Sequence, residues 1–138
     1  MPADIHQLTP LLYPLATRFY RQHQRGTKVG RQHLVWVGKE HDLIVSALCL
    51  TPISQGHWLT SLLVAPSHRR LGLAAMLLKH IRQECAGPIW LFCAPELRPL
   101  YEQAGYRVAS ELPESLEDKL LRYRRHKTLI ALVNSPPV

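Results

Sequence analysis

The stretch Val64 to Ile81, VAPSHRRLGLAAMLLKHI, constrains the fold more than any other. An apolar run ends at a proline, a short basic turn follows, and Ala74, Leu77, Leu78, Ile81 and Cys85 then recur at helical spacing. That spacing lines one helix face with side chains that avoid water. The unit reads as strand, turn and helix, with the helix over 71–85. Its start is unusual. Ser, Thr, Asp or Asn would ordinarily accept from the first free N–H groups of a helix. Arg69, Arg70 and Leu71 stand there instead. A helix start carries unpaired N–H groups and about half a positive charge. With two arginines beside it, and only small residues at Gly72 and Ala74, it suits an anionic group such as a phosphate. A plainer alternative stays open: Ser67 caps a helix that begins one turn earlier, and Arg69 and Arg70 are merely solvated.

The remaining elements decide what kind of sheet that unit joins. Residues 10–24 place Leu12, Leu15, Phe19 and Tyr20 on one helical stripe, with Pro14 in the first turn, where a missing N–H does no harm. A basic loop, RGTKVGRQ, follows. Residues 33–38 and 43–51 read as a hairpin about a turn at Gly38–Asp42, and 57–64 as the next strand. After the helix come a strand at 89–94, a helix opened by Pro95 and closed by Gly105, and a short strand in YRVAS. A polar loop covers 110–118, and a last strand lies near 128–133. With a weak first strand at 4–8 the order is β-α-β-β-β-α-β-α-β-β. Antiparallel meanders precede β-α-β crossovers, which gives a mixed α/β (α+β) fold and not a doubly wound sheet. G-x-G-x-x-G is absent, which speaks against a dinucleotide fold.

Composition narrows the function classes. A length of 138 residues fits one domain, 1–138. No apolar run approaches the roughly 20 residues that cross a bilayer, and the N-terminus, with an acid and no basic segment, does not read as a signal peptide. Cys49, Cys85 and Cys93 are odd in number and apolar in context, which suggests free thiols in a reducing, cytoplasmic setting. The charge of +7, from 17 basic and 10 acidic residues, suits an anionic ligand. The basic clusters do not alternate with exposed aromatics, which speaks against single-stranded nucleic acid. The His residues show no metal-ligand spacing, so no metal site is expected.

The segment from Val64 to Ala74 resembles the acyl-CoA-binding signature of the GNAT superfamily of N-acyltransferases. That signature is a strand ending V-x-P, then Q/R-x-x-G-x-G/A, then an amphipathic helix; Arg69, Gly72 and Ala74 fill its marked positions. LYEQAGYRV, Leu100 to Val108, is similar to the family's late L-Y-E-x-x-G-F/Y segment, and the resemblance covers about residues 10–133. It implies a GNAT-like, mostly antiparallel mixed sheet with helices on both faces. Strands 4 and 5, here 57–64 and 89–94, splay into a V-shaped slot for pantetheine. It further implies acetyl-CoA (coenzyme A) as cofactor and an amine as acceptor. Backbone at Leu62, Leu63 and Val64 would bind the pantetheine arm. Arg69, Arg70, Leu71, Gly72, Leu73 and Ala74 would hold the pyrophosphate, and Tyr101 would serve as general acid to the sulfur.

Two departures from the family pattern stand out. Where many members carry Glu or Asp on the strand before the signature, this chain has Thr60 and Ser61, so the general base is unassigned; His57 is a candidate by its ordinary pKa. Glu96 and Glu102 are expected to face solvent. Ala94 stands where an Asn often binds the pantetheine arm, and Cys93 beside it reads as a small core residue. The acceptor is open. The resemblance implies an acceptor pocket from the first helix and following loop, the hairpin and the loop before the last strand, which here offer Tyr20, Arg21, Arg25, Lys28, Arg31, Trp36 and the segment 107–118. The basic first loop would favour an anionic amine, whereas Glu111, Glu114, Glu117 and Asp118 would favour a cationic one. An enzyme, an acyl-CoA sensor without turnover and, from charge alone, a nucleic-acid binder remain in competition. No membrane partner is expected, and a homodimer is an open option.

Overall fold

Tight turns set the strand pairing. His41 and Asp42 both have positive φ, 52° and 65°, the two-residue turn whose twist matches that of flanking antiparallel strands. It joins β2 (Leu34–Glu40) to β3 (Leu43–Ile53), which pair from Leu34↔Leu50 to Glu40↔Leu43. Ser54 and Gln55 then turn β3 into β4 (Gly56–Val64). Gly56 has no room for a side chain: a Cβ there would overlap the Pro88 carbonyl. β1 (Asp4–Gln7) adds to the outer edge of β2. This is a computed structural model, and it describes residues 4–23 and 25–136.

The chain continues through α2 (Leu73–Glu84), β5 (Ile89–Cys93), α3 (Arg98–Gln103), β6 (Arg107–Val108), α4 (Glu114–Tyr123) and β7 (Ile130–Asn134), with α1 (Tyr13–Gln22) between β1 and β2. The seven strands lie in the order β1-β2-β3-β4-β5-β7-β6. Among the described residues β4 and β5 are the one parallel pair. They pair only at His57↔Ile89, Trp58↔Trp90 and Leu59↔Leu91. Beyond Leu59 and Leu91 the two strands no longer pair with each other, although β4 runs on to Val64 and β5 to Cys93, so the sheet opens into the expected splay.

Helices cover both faces. α2 places Leu77, Leu78 and Ile81, all fully buried, against Trp36, Leu48, Leu50, Leu59, Ile89 and Leu91. Each such side chain contributes about 2 kcal/mol through the apolar area it removes from water. Tyr101 of α3 joins the same cluster. On the opposite face α1 packs Tyr13, Ala16, Phe19 and Tyr20 on Val35, Val37, Ala47, Cys49 and Leu63. Leu116 of α4 packs there on Trp90 and Val133.

Three expectations need correction. The stripe on α1 is rotated: Leu12 and Leu15 are 38% and 45% exposed, and Tyr13 and Ala16 are buried in their place. Pro10 opens a separate 3₁₀ turn, Pro10–Leu12, so the α-helical register begins only at Tyr13. The polar stretch 110–118 is not all loop, because α4 starts at Glu114. Glu114 and Glu117 in its first turn complement the helix dipole, and the pair Leu116 and Leu120 is buried one turn apart. α2 begins at Leu73, two residues later than the spacing suggests, and Ala74 and Cys85 are only half-buried.

Candidate acyl-CoA cleft

The splay is shaped by a bulge in β4. Thr60 pairs with Cys49 and Leu63 with Ala47, which leaves Ser61 and Leu62 opposite Leu48 alone. Two residues against one is a β-bulge, which bends the strand and re-aims its backbone. Ser61 sits at φ 58°, a left-handed conformation that a non-glycine residue holds only under outside constraint. The constraint comes from the α1 face. The Tyr20 hydroxyl donates to the Ser61 carbonyl at 2.7 Å, and the Thr27 and Ser61 hydroxyls share a hydrogen bond at 3.0 Å. Tyr20 is fully buried. Burial, then the neighbouring Cys49, holds its phenol well above the usual range, so it remains a neutral donor. Burial likewise pushes the Cys49 thiol up to about 11. This anchoring carries no signal in sequence spacing, since the partners are 41 residues apart.

At the end of β4 the chain makes a 3₁₀ turn, Pro66–His68, extends at Arg69, and passes through positive φ at Arg70 (67°) and Gly72 (78°) before α2. Gly72 is the N-cap residue, and no side chain caps the helix. Ser67 does not fill that role: its hydroxyl bonds His68 Nδ1 at 2.7 Å. His68 Nε2 in turn meets Glu40 at 3.3 Å, which ties the turn to the hairpin. The first helical bond runs from Met76 N–H to the Gly72 carbonyl at 3.0 Å. The N–H groups ahead of it have no acceptor within the helix. A Cβ on Gly72 would meet nothing within 4 Å, so this helix start faces open space.

That space belongs to a cleft of about 580 Å³. It is lined by Leu62, Leu63, Val64, Arg69, Arg70, Gly72, Leu73 and Ala74, and by Arg25, His68, Ala75, Leu97, Leu100, Tyr101 and Gln103. The sequence-derived positions thus converge, with one exception: the Leu71 side chain is exposed and does not line the cleft. Tyr101 reaches the cleft from α3 with its ring edge-on to Tyr106, centroids 5.8 Å apart. Burial, and next to it Cys93, pushes its phenol up to about 12, with Arg25 pulling the other way. At neutral pH Tyr101 is therefore a proton donor.

The candidate bases fall away. His57 pairs with Ile89 at the closed end of the splay, six residues or roughly 20 Å of strand from Leu63. Burial, and then Arg82, lowers its pKa. Glu102 is occupied by Arg98 at 3.2 Å. Among the described residues no carboxylate lines the cleft. Cys93 is buried and its thiol is pushed up, first by burial and then by Glu96, so it behaves as core. A larger groove, about 1110 Å³, lies between α1 and residues 29–31, and neither the bulge nor Tyr101 lines it. No three His, Cys, Asp or Glu side chains gather to hold a metal among the described residues.

An antiparallel sheet opened between two parallel strands, with an uncapped basic helix start at the opening, defines a GNAT-like α/β protein. The chain belongs to the GNAT acetyltransferase family: the model of the Acetyltransferase (GNAT) domain matches residues 31–108, more than half its length. No curated protein matches the sequence. Solved structures match in fold. The ribosomal-protein-S18-alanine N-acetyltransferase from Escherichia coli is 15% identical, with 98% of this chain and 94% of that one covered and a TM-score of 0.72. A putative N-acetyltransferase from Lactobacillus plantarum is also 15% identical, with 99% and 100% covered and a TM-score of 0.73. N-acetylglutamate synthase from Neisseria gonorrhoeae, complexed with coenzyme A and N-acetyl-glutamate, is 16% identical with a TM-score of 0.75; the match covers 99% of this chain and 35% of that longer one.

Proposed function

We propose that the protein is an acetyl-CoA-dependent N-acetyltransferase, a single domain over residues 1–138, that acetylates a primary amine of a small molecule or peptide. The observation that carries this reading is the meeting, in one cleft, of the uncapped start of α2 and the protonated Tyr101 phenol. Fold neighbours solved with coenzyme A or acetyl-CoA bound support the cofactor. The residues present fit it, since an open helix start with adjacent arginines is what a diphosphate requires.

Acetyl-CoA supplies an activated thioester. The N–H groups from Arg70 to Ala74, with Leu71 contributing only its backbone, hold the diphosphate, and Arg69 and Arg70 add charge. Backbone at Leu62, Leu63 and Val64 pairs with the peptide-like pantetheine arm as an added strand would. An N–H aimed by the bulge polarises the acyl carbonyl. Tyr101 Oη holds the proton that the departing sulfur takes. With no carboxylate on the cleft wall, the amine arrives neutral or loses its proton to water. We also read the protein as cytoplasmic, since its three cysteines are free. No helix among the described residues is long and apolar enough to cross a membrane.

The missing carboxylate favours a second reading, an acyl-CoA-binding regulatory module. Thiol release from acetyl-CoA across a panel of amines, run beside calorimetric titration with coenzyme A, separates the two. Turnover with any amine supports the enzyme. Binding without turnover for every amine supports the module.

A further inference from the structure

The cofactor cleft lies on the sheet face that carries α2 and α3. Arg25 reaches its wall from the other side, in the loop that leaves α1. Two contacts pin that loop around it. The Arg25 N–H donates to the Tyr20 carbonyl at 2.9 Å, and two residues later Thr27 is held by the Ser61 hydroxyl at 3.0 Å. The side chain lines the cleft with Leu62, Leu63 and Val64 of β4 and with Tyr101, near enough for its charge to act on both Tyr20 beneath the bulge and Tyr101. Among the described residues it has no carboxylate partner; the ion pairs join His6 to Asp4, His68 to Glu40 and Arg98 to Glu102.

A guanidinium keeps its charge at any working pH and presents a planar fork that matches a carboxylate. Held at the opening, it repels polycationic amines and attracts anionic ones. The acidic residues that could favour a cationic acceptor lie elsewhere. Glu111 and Glu117 line depressions between α4 and strands β6 and β7, and among the described residues no acidic side chain lines the cleft.

We infer that the acceptor is a small primary amine with its own carboxylate, of the amino-acid class, and that Arg25 holds this carboxylate where β4 and β5 part. The inference rests on the acetyltransferase reading above. Its test uses amino acids, each run beside its carboxamide and its decarboxylated amine, with thiol release from acetyl-CoA as readout. The expected result is a kcat/KM for the preferred amino acid roughly 30-fold above both relatives, carried mainly by KM. Arg25→Gln brings the amino acid down to the kcat/KM of its two relatives measured with the same variant, and Arg25→Lys restores part of the preference. Equal kcat/KM across each set, or a preference that survives Arg25→Gln, overturns the inference and leaves the acetyltransferase reading intact. Should no amine be turned over, that reading fails, and calorimetry still decides on Arg25. With coenzyme A present, heat from the amino acids is expected with the wild type and not with Arg25→Gln. Equal heats, or none from either protein, overturn the inference.

Discussion

Gly72 is where the diphosphate cradle can be tested without unfolding the protein. The substitution is Gly72→Glu, with Gly72→Ala as its uncharged control. Both put a Cβ on a residue at φ 78°, which costs about 1 kcal/mol of backbone strain. The added Cβ meets no steric obstacle, because nothing lies within 4 Å of it. A carboxylate at a helix start recovers about 0.5 kcal/mol through the dipole, so Gly72→Glu is expected to melt within about 4 °C of the wild type. Binding is a different matter. Two unit charges about 5 Å apart repel by about 1.7 kcal/mol at an effective dielectric constant of about 40, and a diphosphate carries about two such charges. The resulting penalty, about 3 kcal/mol, is a loss of roughly 100-fold in affinity. Gly72→Ala is expected to lose less than about tenfold, since it adds bulk without charge. Isothermal titration with coenzyme A and a thermal melt of each variant measure both quantities. A dissociation constant for Gly72→Glu within threefold of the wild-type value would refute the cradle.

Other substitutions probe the remaining parts. Tyr101→Phe is expected to lower kcat by about 100-fold and leave the affinity for coenzyme A unchanged. Because deprotonation follows rising pH and burial pushes the Tyr101 phenol up to about 12, the wild-type rate is expected to show no loss from this group until the pH approaches that value. A fall near pH 9 that Tyr101→Phe abolishes would contradict the raised pKa, and an unchanged kcat in Tyr101→Phe would contradict the general-acid assignment. Tyr20→Phe removes the donor to the Ser61 carbonyl, and denaturant unfolding is expected to show a loss of about 1–2 kcal/mol for the unpaired acceptor, with a raised KM for acetyl-CoA as the bulge relaxes. His57→Gln is expected to leave the pH–rate profile in place, since His57 lies at the closed end of the splay; a displaced acidic limb would restore it as a base.

The parts of this protein written in local chemistry were legible in its sequence. The hairpin, the strand–turn–helix unit and the GxA turn each follow from turn residues or from spacing along one element. Every cleft residue expected at 62–64 and 69–74 lines one cavity except Leu71, whose side chain points to solvent. The misses have physical causes. α4 buries only the narrow pair Leu116 and Leu120, too thin a stripe to stand out from a polar segment. α1 was displaced because the 3₁₀ turn at Pro10 shifts the register that a straight helix would give. The Tyr20–Ser61 anchor and the placement of Arg25 join residues brought together by strand pairing, which no local pattern encodes.

Backbone amide shifts during titration with coenzyme A test the central assignment most directly. The largest changes are expected at the N–H groups of Arg70 to Ala74, with a second set at Leu62 to Val64. Changes confined to α1 and residues 29–31, around the larger groove, with the start of α2 unmoved, would contradict it.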